Sequence, residues 1–185
     1  KIKSINSINI EEFYFFSHDG VKIPIFRLQK SKFNLNKRAI IFFSGHGSAK
    51  DLIYGMNMFD FFTNEDFDSF DTYQSRAALK VVDDNNVVYV MENRCMGFLE
   101  NLGNYKEIDA LYRLSGKSLM GAWLSDAIFL VNLISRKHKN KPSLCGISSG
   151  GFLSLFSSLF VSVDKVICQS YLSNFKDSFI ENKST

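Results

Sequence analysis

Late in the chain, Cys145-Gly146-Ile147-Ser148-Ser149-Gly150-Gly151 has the residue types and spacing for nucleophilic catalysis. It contains Gly-x-Ser-x-Gly at the end of an apolar run, and Ser148 is the only serine with glycine two positions before and two after. In that pattern the serine sits on a sharp strand-to-helix turn with a strained backbone, so its hydroxyl projects clear of the sheet. Glycines flank it because strand and helix pass close together there. The pentapeptide arises by chance often enough that its setting must be weighed. Pro142-Ser143-Leu144-Cys145 reads as a short buried strand, and Phe152 to Phe160 reads as a mostly apolar helix. The setting therefore agrees with the motif.

A serine that forms an acyl intermediate also needs donors for the developing oxyanion. One is the backbone N–H of the next residue, Ser149. A second fits the glycine-rich Ser44-Gly45-His46-Gly47-Ser48, where glycine lets the backbone turn its N–H groups inward. The backbone N–H of His46 is the candidate. Its imidazole reads as a loop histidine without chemistry. The site residues are then Ser148 as nucleophile, His46 and Ser149 as oxyanion donors, and Gly146 and Gly150 as the elbow glycines.

The elements that must position these groups follow from hydrophobic patterning. Residues 11–29 read as a hairpin, with Phe13, Phe15, Val21, Ile23 and Ile25 alternating and Asp19-Gly20 at the turn. Ala39 to Phe43 and Asn86 to Met91 read as buried strands, apolar throughout except at Asn86. Residues 51–70 lack clean periodicity, 72–83 suggest a helix, and 93–115 read as a long loop. Met120, Trp123, Ala127, Leu130 and Ile134 repeat at helical spacing within 117–136. A last strand spans Lys165 to Ser170. After the hairpin, buried strands alternate with helices, which predicts an α/β fold: a mainly parallel sheet with helices on both faces, within a single domain. Function in such sheets sits at the carboxyl ends of the strands, where both glycine-rich turns fall.

Composition narrows the function further. The 185 residues include 45% hydrophobic types and 19 Phe, enough for a packed core. A net charge of +3 is too small to argue for nucleic acid. The basic cluster Arg136, Lys137, His138, Lys139 and Lys141 reads as a solvated helix end. The three cysteines, Cys95, Cys145 and Cys168, have no disulfide-framework spacing, and Cys145 and Cys168 are expected to pack as small hydrophobes in core strands. No metal or cofactor pattern is present, and none is expected. No apolar run approaches the roughly 18 residues that span a bilayer. A cytoplasmic location is the expectation, although the chain begins at Lys1 rather than Met, so a removed leader stays open.

With these residues in view, the chain resembles bacterial α/β-hydrolases of the acetyl xylan esterase and dienelactone hydrolase type. Four stretches carry the likeness over most of the chain: Ile40 to Lys50, Val87 to Phe98, Leu119 to Ile134, and Leu144 to Phe175 with its GISSGG and SYLSNF. By this resemblance the family's His-Gly-x-Gly falls on Ser44-Gly45-His46-Gly47. Ser44 stands where the family often has His, which bears on loop support and not on the backbone donor. Arg94 and Gly97 fall on the family's arginine–glycine loop, with Cys95 where Gly is frequent. Asp126 falls on a structural helix aspartate. The resemblance implies a serine esterase acting on a small-molecule or carbohydrate ester. It does not fix the oligomeric state.

The family orders its triad as Ser, then Asp or Glu, then His. After Ser148 this chain has Asp164 and Asp177 but no histidine, since His18, His46 and His138 all precede it. Acid and base are therefore expected beyond Thr185, and the chain reads as the amino-terminal portion of a longer hydrolase, truncated at its carboxyl end and inactive alone. Three alternatives stand beside this: a serine peptidase of the same superfamily, a non-catalytic binding module on the scaffold, and a nucleotide-binding α/β protein. The last is disfavoured because Lys50 stands where a third glycine belongs and no Walker spacing exists.

Overall fold

In the computed structural model, the structure describes residues 2–5, 7–30, 32–55, 74 and 76–170. The elements run β1 (Ile2–Ile5), β2 (Ile8–Phe16), β3 (Lys22–Gln29), β4 (Arg38–Phe43), α1 (Ala49–Tyr54), α2 (Ala77–Lys80) and β5 (Asn86–Met91). A 3-10 turn (Gly97–Leu102), α3 (Tyr105–Leu114), α4 (Leu119–Lys137), β6 (Ser143–Ile147), α5 (Ser149–Ser157) and β7 (Val166–Gln169) follow.

Among the described residues the strands form one sheet in the order β1-β2-β3-β5-β4-β6-β7. The strands β5, β4, β6 and β7 are parallel, while β1, β2 and β3 pair antiparallel at one side. The expected mixed sheet with an amino-terminal hairpin is present. Its turn is closed by Ser17 N–H donating to the Val21 carbonyl, with Gly20 at φ 83°.

Period-two geometry sends alternate residues to opposite faces. Ala39, Ile41 and Phe43 of β4, with Val87, Tyr89 and Met91 of β5, meet Trp123, Ala127, Leu130 and Val131 of α4 and Leu153 of α5. Phe42, Val88 and Val90 face the other way, onto Leu52 and Ile53 of α1 and Ala78 and Leu79 of α2. Helices therefore cover both faces, and that is why the central strands read as unbroken apolar runs. The most apolar stretch of α4 has a mean hydropathy of 1.2, long and apolar enough to cross a bilayer despite its interspersed polar residues. Here its apolar side packs on the sheet.

Three expectations are corrected. The segment 93–115 is not a loop: it holds the 3-10 turn and α3. Asn104 caps α3 by accepting from the Lys106 N–H, and Tyr105, Ile108 and Tyr112 pack on the core at helical spacing. The proposed helix at 72–83 reduces to the single turn Ala77–Lys80, residues 72, 73 and 75 lying outside the described residues. Cys168 is half-buried rather than in the core, because β7 is the edge of the described sheet and exposes Ile167. The readings of 56–70 and of Tyr171 to Phe175, and Asp177, also lie outside the described residues.

Candidate active site

Register brings the two glycine-rich turns together. β4 and β6 are parallel neighbours with Phe43 opposite Gly146, so the loop after β4 and the turn after β6 leave the same end of the sheet side by side. Ser148 occupies the turn at φ 55°, ψ −122°, a region that disfavours any residue with a Cβ. Its N–H donates to the Gln169 carbonyl at 2.8 Å, which ties the turn to β7. Both flanking glycines are dictated by space. A Cβ on Gly146 would lie 1.9 Å from the Gly150 carbonyl oxygen, and one on Gly150 would lie 2.1 Å from that of Phe43. The elbow helix thus starts in backbone contact with the end of β4. Ser149 is its first residue, where N–H groups have no intrahelical acceptor.

Side chains from elsewhere in the chain fix the loop at residues 44–48. Gln74 Oε1 accepts from the Gly45 N–H at 2.9 Å and Gln74 Nε2 donates to Asp51 at 2.8 Å. Asn93 Nδ2 donates to both the carbonyl and the hydroxyl of Ser44, each at 3.2 Å. Ser44, fully buried, thus serves as an internal anchor. Glu92 accepts the Ala49 N–H just past the loop. Sequence reasoning missed Gln74, Glu92 and Asn93. The signal for the last two was a polar pair placed directly after the apolar run of β5.

The side chain of His46 is exposed, its ring edge-on to Tyr105 with centroids 5.8 Å apart. Beside it opens a cavity of about 320 Å³ lined by Tyr105, Asp109, Leu119, Met120 and Trp123 among others. The two remaining histidines are elsewhere. His138, expected in a solvated helix end with its basic neighbours, is instead buried at the amino end of the sheet, its Nδ1 3.1 Å from the carbonyl of Lys37, the residue before β4, and its Nε2 2.9 Å from the Tyr89 hydroxyl. A carbonyl can only accept, so Nδ1 carries the proton and Nε2 accepts from Tyr89. Burial lowers the His138 pKa, which keeps this neutral form. His18 is exposed at the hairpin turn, and β5 and β4 intervene between β3 and β6. At about 4.8 Å per strand that is roughly 14 Å from the elbow strand.

Behind the loop that follows β5, Arg94 forms a buried ion network. It donates to both oxygens of Asp126, at 2.7 and 3.0 Å, to Ser17 at 2.7 Å, to Tyr112 at 2.8 Å, and to Asp19. Trp123 Nε1 donates to the Arg94 carbonyl at 3.2 Å. The cluster joins the hairpin turn, α3 and α4 to the carboxyl end of β5. Cys95 follows at φ 62°, which accounts for glycine being frequent at the matching family position. Arg94→Met should lower stability by about 3–5 kcal/mol, because Asp126 would keep a buried, unpaired charge. The double variant R94M/D126L should recover much of that loss. Urea denaturation midpoints measure both. The hydrogen bond from Arg94 also outweighs burial and holds Asp19 at about 2, below its ordinary 3.8. That stabilisation is full above the ordinary value and is lost as pH falls through about 2.

No protein-family model matches the sequence, and no curated protein does. Solved structures do match. Acetyl xylan esterase 1 from Thermoanaerobacterium covers 100% of this chain and 56% of its own length at TM-score 0.66 and 19% identity. The acetyl xylan esterase from Paenibacillus covers 100% and 57% at 0.63 and 12%. Brefeldin A esterase, a bacterial homologue of human hormone-sensitive lipase, covers 96% and 45% at 0.56 and 12%. The chain spans about half the length of the structures it matches. At these identities the likeness speaks to architecture: the chain has the α/β-hydrolase fold and resembles the acetyl xylan esterases in it.

Proposed function

We propose that this chain carries the nucleophile and oxyanion machinery of a serine hydrolase acting on carboxylic esters, with the acid and base supplied by residues beyond Thr185. The observation that carries the reading is the backbone of Ser148, held at φ 55°, ψ −122° between two glycines that admit no Cβ. Strain of this kind persists where the surrounding structure over-determines it, and it clusters at functional sites. Ser148 Oγ would attack the ester carbonyl, and the N–H groups of His46 and Ser149 would take the oxyanion. The same base would first accept the serine proton and then return it to the departing alcohol, before water releases the acyl group. The cavity beside His46 is lined by neither Ser148 nor Ser149, so what supports an acetylated small molecule or carbohydrate is the fold's likeness to acetyl xylan esterases.

Neither His138, at the amino end of the sheet and engaged on both ring nitrogens, nor His18, at the hairpin turn, is placed to serve as that base. The 185-residue chain is therefore expected to hydrolyse p-nitrophenyl acetate no faster than a denatured control, while a chain extended past Thr185 turns it over. Ser148-dependent turnover by residues 1–185 alone would show a base within them, with His46 the first to reconsider. An inactive extended chain that binds esters would favour the binding-module reading.

A further inference from the structure

Glu92 is fully buried at the carboxyl end of β5, one strand away from the loop after β4. Its Oε1 accepts from the N–H of Ala49 at 3.1 Å and of Asn93 at 3.2 Å, and its Oε2 accepts from the N–H of Phe98 at 3.1 Å. These donors belong to two segments, the start of α1 and the loop after β5. The carboxyl group thus joins the loop that carries His46 to the loop that carries Arg94. The fit is close on its far side too: a Cβ on Gly97 would lie 2.4 Å from Glu92 Oε2 and 2.3 Å from Ser48 Cβ. Next in sequence, Asn93 holds the other end of the same loop through Ser44. Residues 44–49 are therefore gripped at both ends by two consecutive residues of one strand end.

An apolar side chain would avoid the cost of burying a carboxyl group but would leave the N–H groups of Ala49, Asn93 and Phe98 without this acceptor. Burial pushes Glu92 up to about 8 against the opposing pull of its three N–H donors and Lys50. What an apolar residue cannot do is accept three N–H bonds at set positions on two loops.

We propose that Glu92 is a positioning residue: by accepting the Ala49, Asn93 and Phe98 N–H groups it sets the backbone of residues 44–49 so that the His46 N–H meets the developing oxyanion. This rests on the serine-hydrolase reading of Ser148. Glu92 touches no reacting atom and acts through the loop.

Glu92→Gln and Glu92→Asp test it in the chain extended past Thr185, assayed above about pH 8, where Glu92 is the acceptor-only carboxylate. Gln keeps the volume but turns one acceptor oxygen into a donor facing N–H groups. Asp keeps both acceptors and withdraws them by one methylene. The readout is kcat and KM on a matched ester and thionoester. Donors placed for oxygen suit sulfur poorly, so the ester-to-thionoester ratio reports the oxyanion geometry of each active molecule. Partial unfolding cannot move that ratio. For Glu92→Gln, kcat on the ester should fall about 10- to 100-fold with KM changed little, and the ester preference should fall with it. Glu92→Asp should lie between Gln and wild type, and it carries the test if the Gln variant does not fold. An unchanged ratio in the folded variant would overturn the proposal. Ser148→Ala separates the two readings: if it keeps turnover, the serine reading has failed, whereas if it is inactive and the ratio is unmoved, only the role of Glu92 is lost.

Discussion

Ser148→Ala in the chain extended past Thr185 is expected to remove ester turnover by roughly a millionfold, the scale seen when the nucleophile of a serine triad is deleted. The loss should lie in kcat, since the alanine variant keeps the cavity and the backbone donors. Its neighbour supplies the control. Ser149→Ala keeps the backbone N–H, and the hydroxyl it removes is buried without a hydrogen-bond partner. Nothing is left unpaired by that change, so kcat should move by a small factor and the melting temperature should hold or rise. Steady-state hydrolysis of p-nitrophenyl acetate by the two variants measures the contrast. Equal losses from both would point to a disturbed turn rather than a missing nucleophile.

The largest effect on stability is expected at the elbow glycines. A Cβ on Gly146 would meet only backbone, the Gly150 carbonyl oxygen at 1.9 Å, its carbon at 2.1 Å and the Gly151 nitrogen at 2.6 Å. No side chain can rotate away to make room, so β6 and α5 must separate or the variant must unfold. Gly146→Ala and Gly150→Ala should each cost more than about 4 kcal/mol. Gly20→Ala is the comparison, because Gly20 has φ 83° and open space around it. That substitution meets only the left-handed backbone penalty of about 1–2 kcal/mol. Urea midpoints rank the three. A Gly146→Ala variant as stable as Gly20→Ala would mean that strand and helix are not in contact at the elbow.

Much of the architecture was legible because the central strands are buried on both faces. Apart from Arg38, Asn86, Tyr89 and Ser143, the residues of β4, β5 and β6 are apolar, and α4 repeats its apolar positions over about four turns of helix. Ser148, Gly146 and Gly150 were legible for a related reason, since the backbone requirement is met by three residues of one short segment. α3 was not, because its inward stripe is only Tyr105, Ile108 and Tyr112 and none of its residues is fully buried. What the supports of the loop at 44–48 hold was not legible, for a different reason. Gln74 reaches Gly45 across 29 residues and Glu92 reaches Ala49 across 43, contacts that only the packing of α1 and β5 against β4 creates. The polar pair Glu92-Asn93 directly after the β5 run marks a place, but nothing local says which loop's N–H groups the carboxylate serves. The edge position of β7 was hidden likewise, since Val166 to Gln169 reads the same on its own whether it is paired on one side or two.

The central claim is that Ser148 is the nucleophile, and the direct measurement is where an active-site label lands. Treating the chain extended past Thr185 with an alkyl fluorophosphonate, in which the attacking oxygen displaces fluoride, should inactivate it as one phosphonyl group appears. Mass spectrometry of the digested protein should place that group on Ser148. Inactivation with the label on another residue, or full turnover by protein whose Ser148 is labelled, would contradict the account.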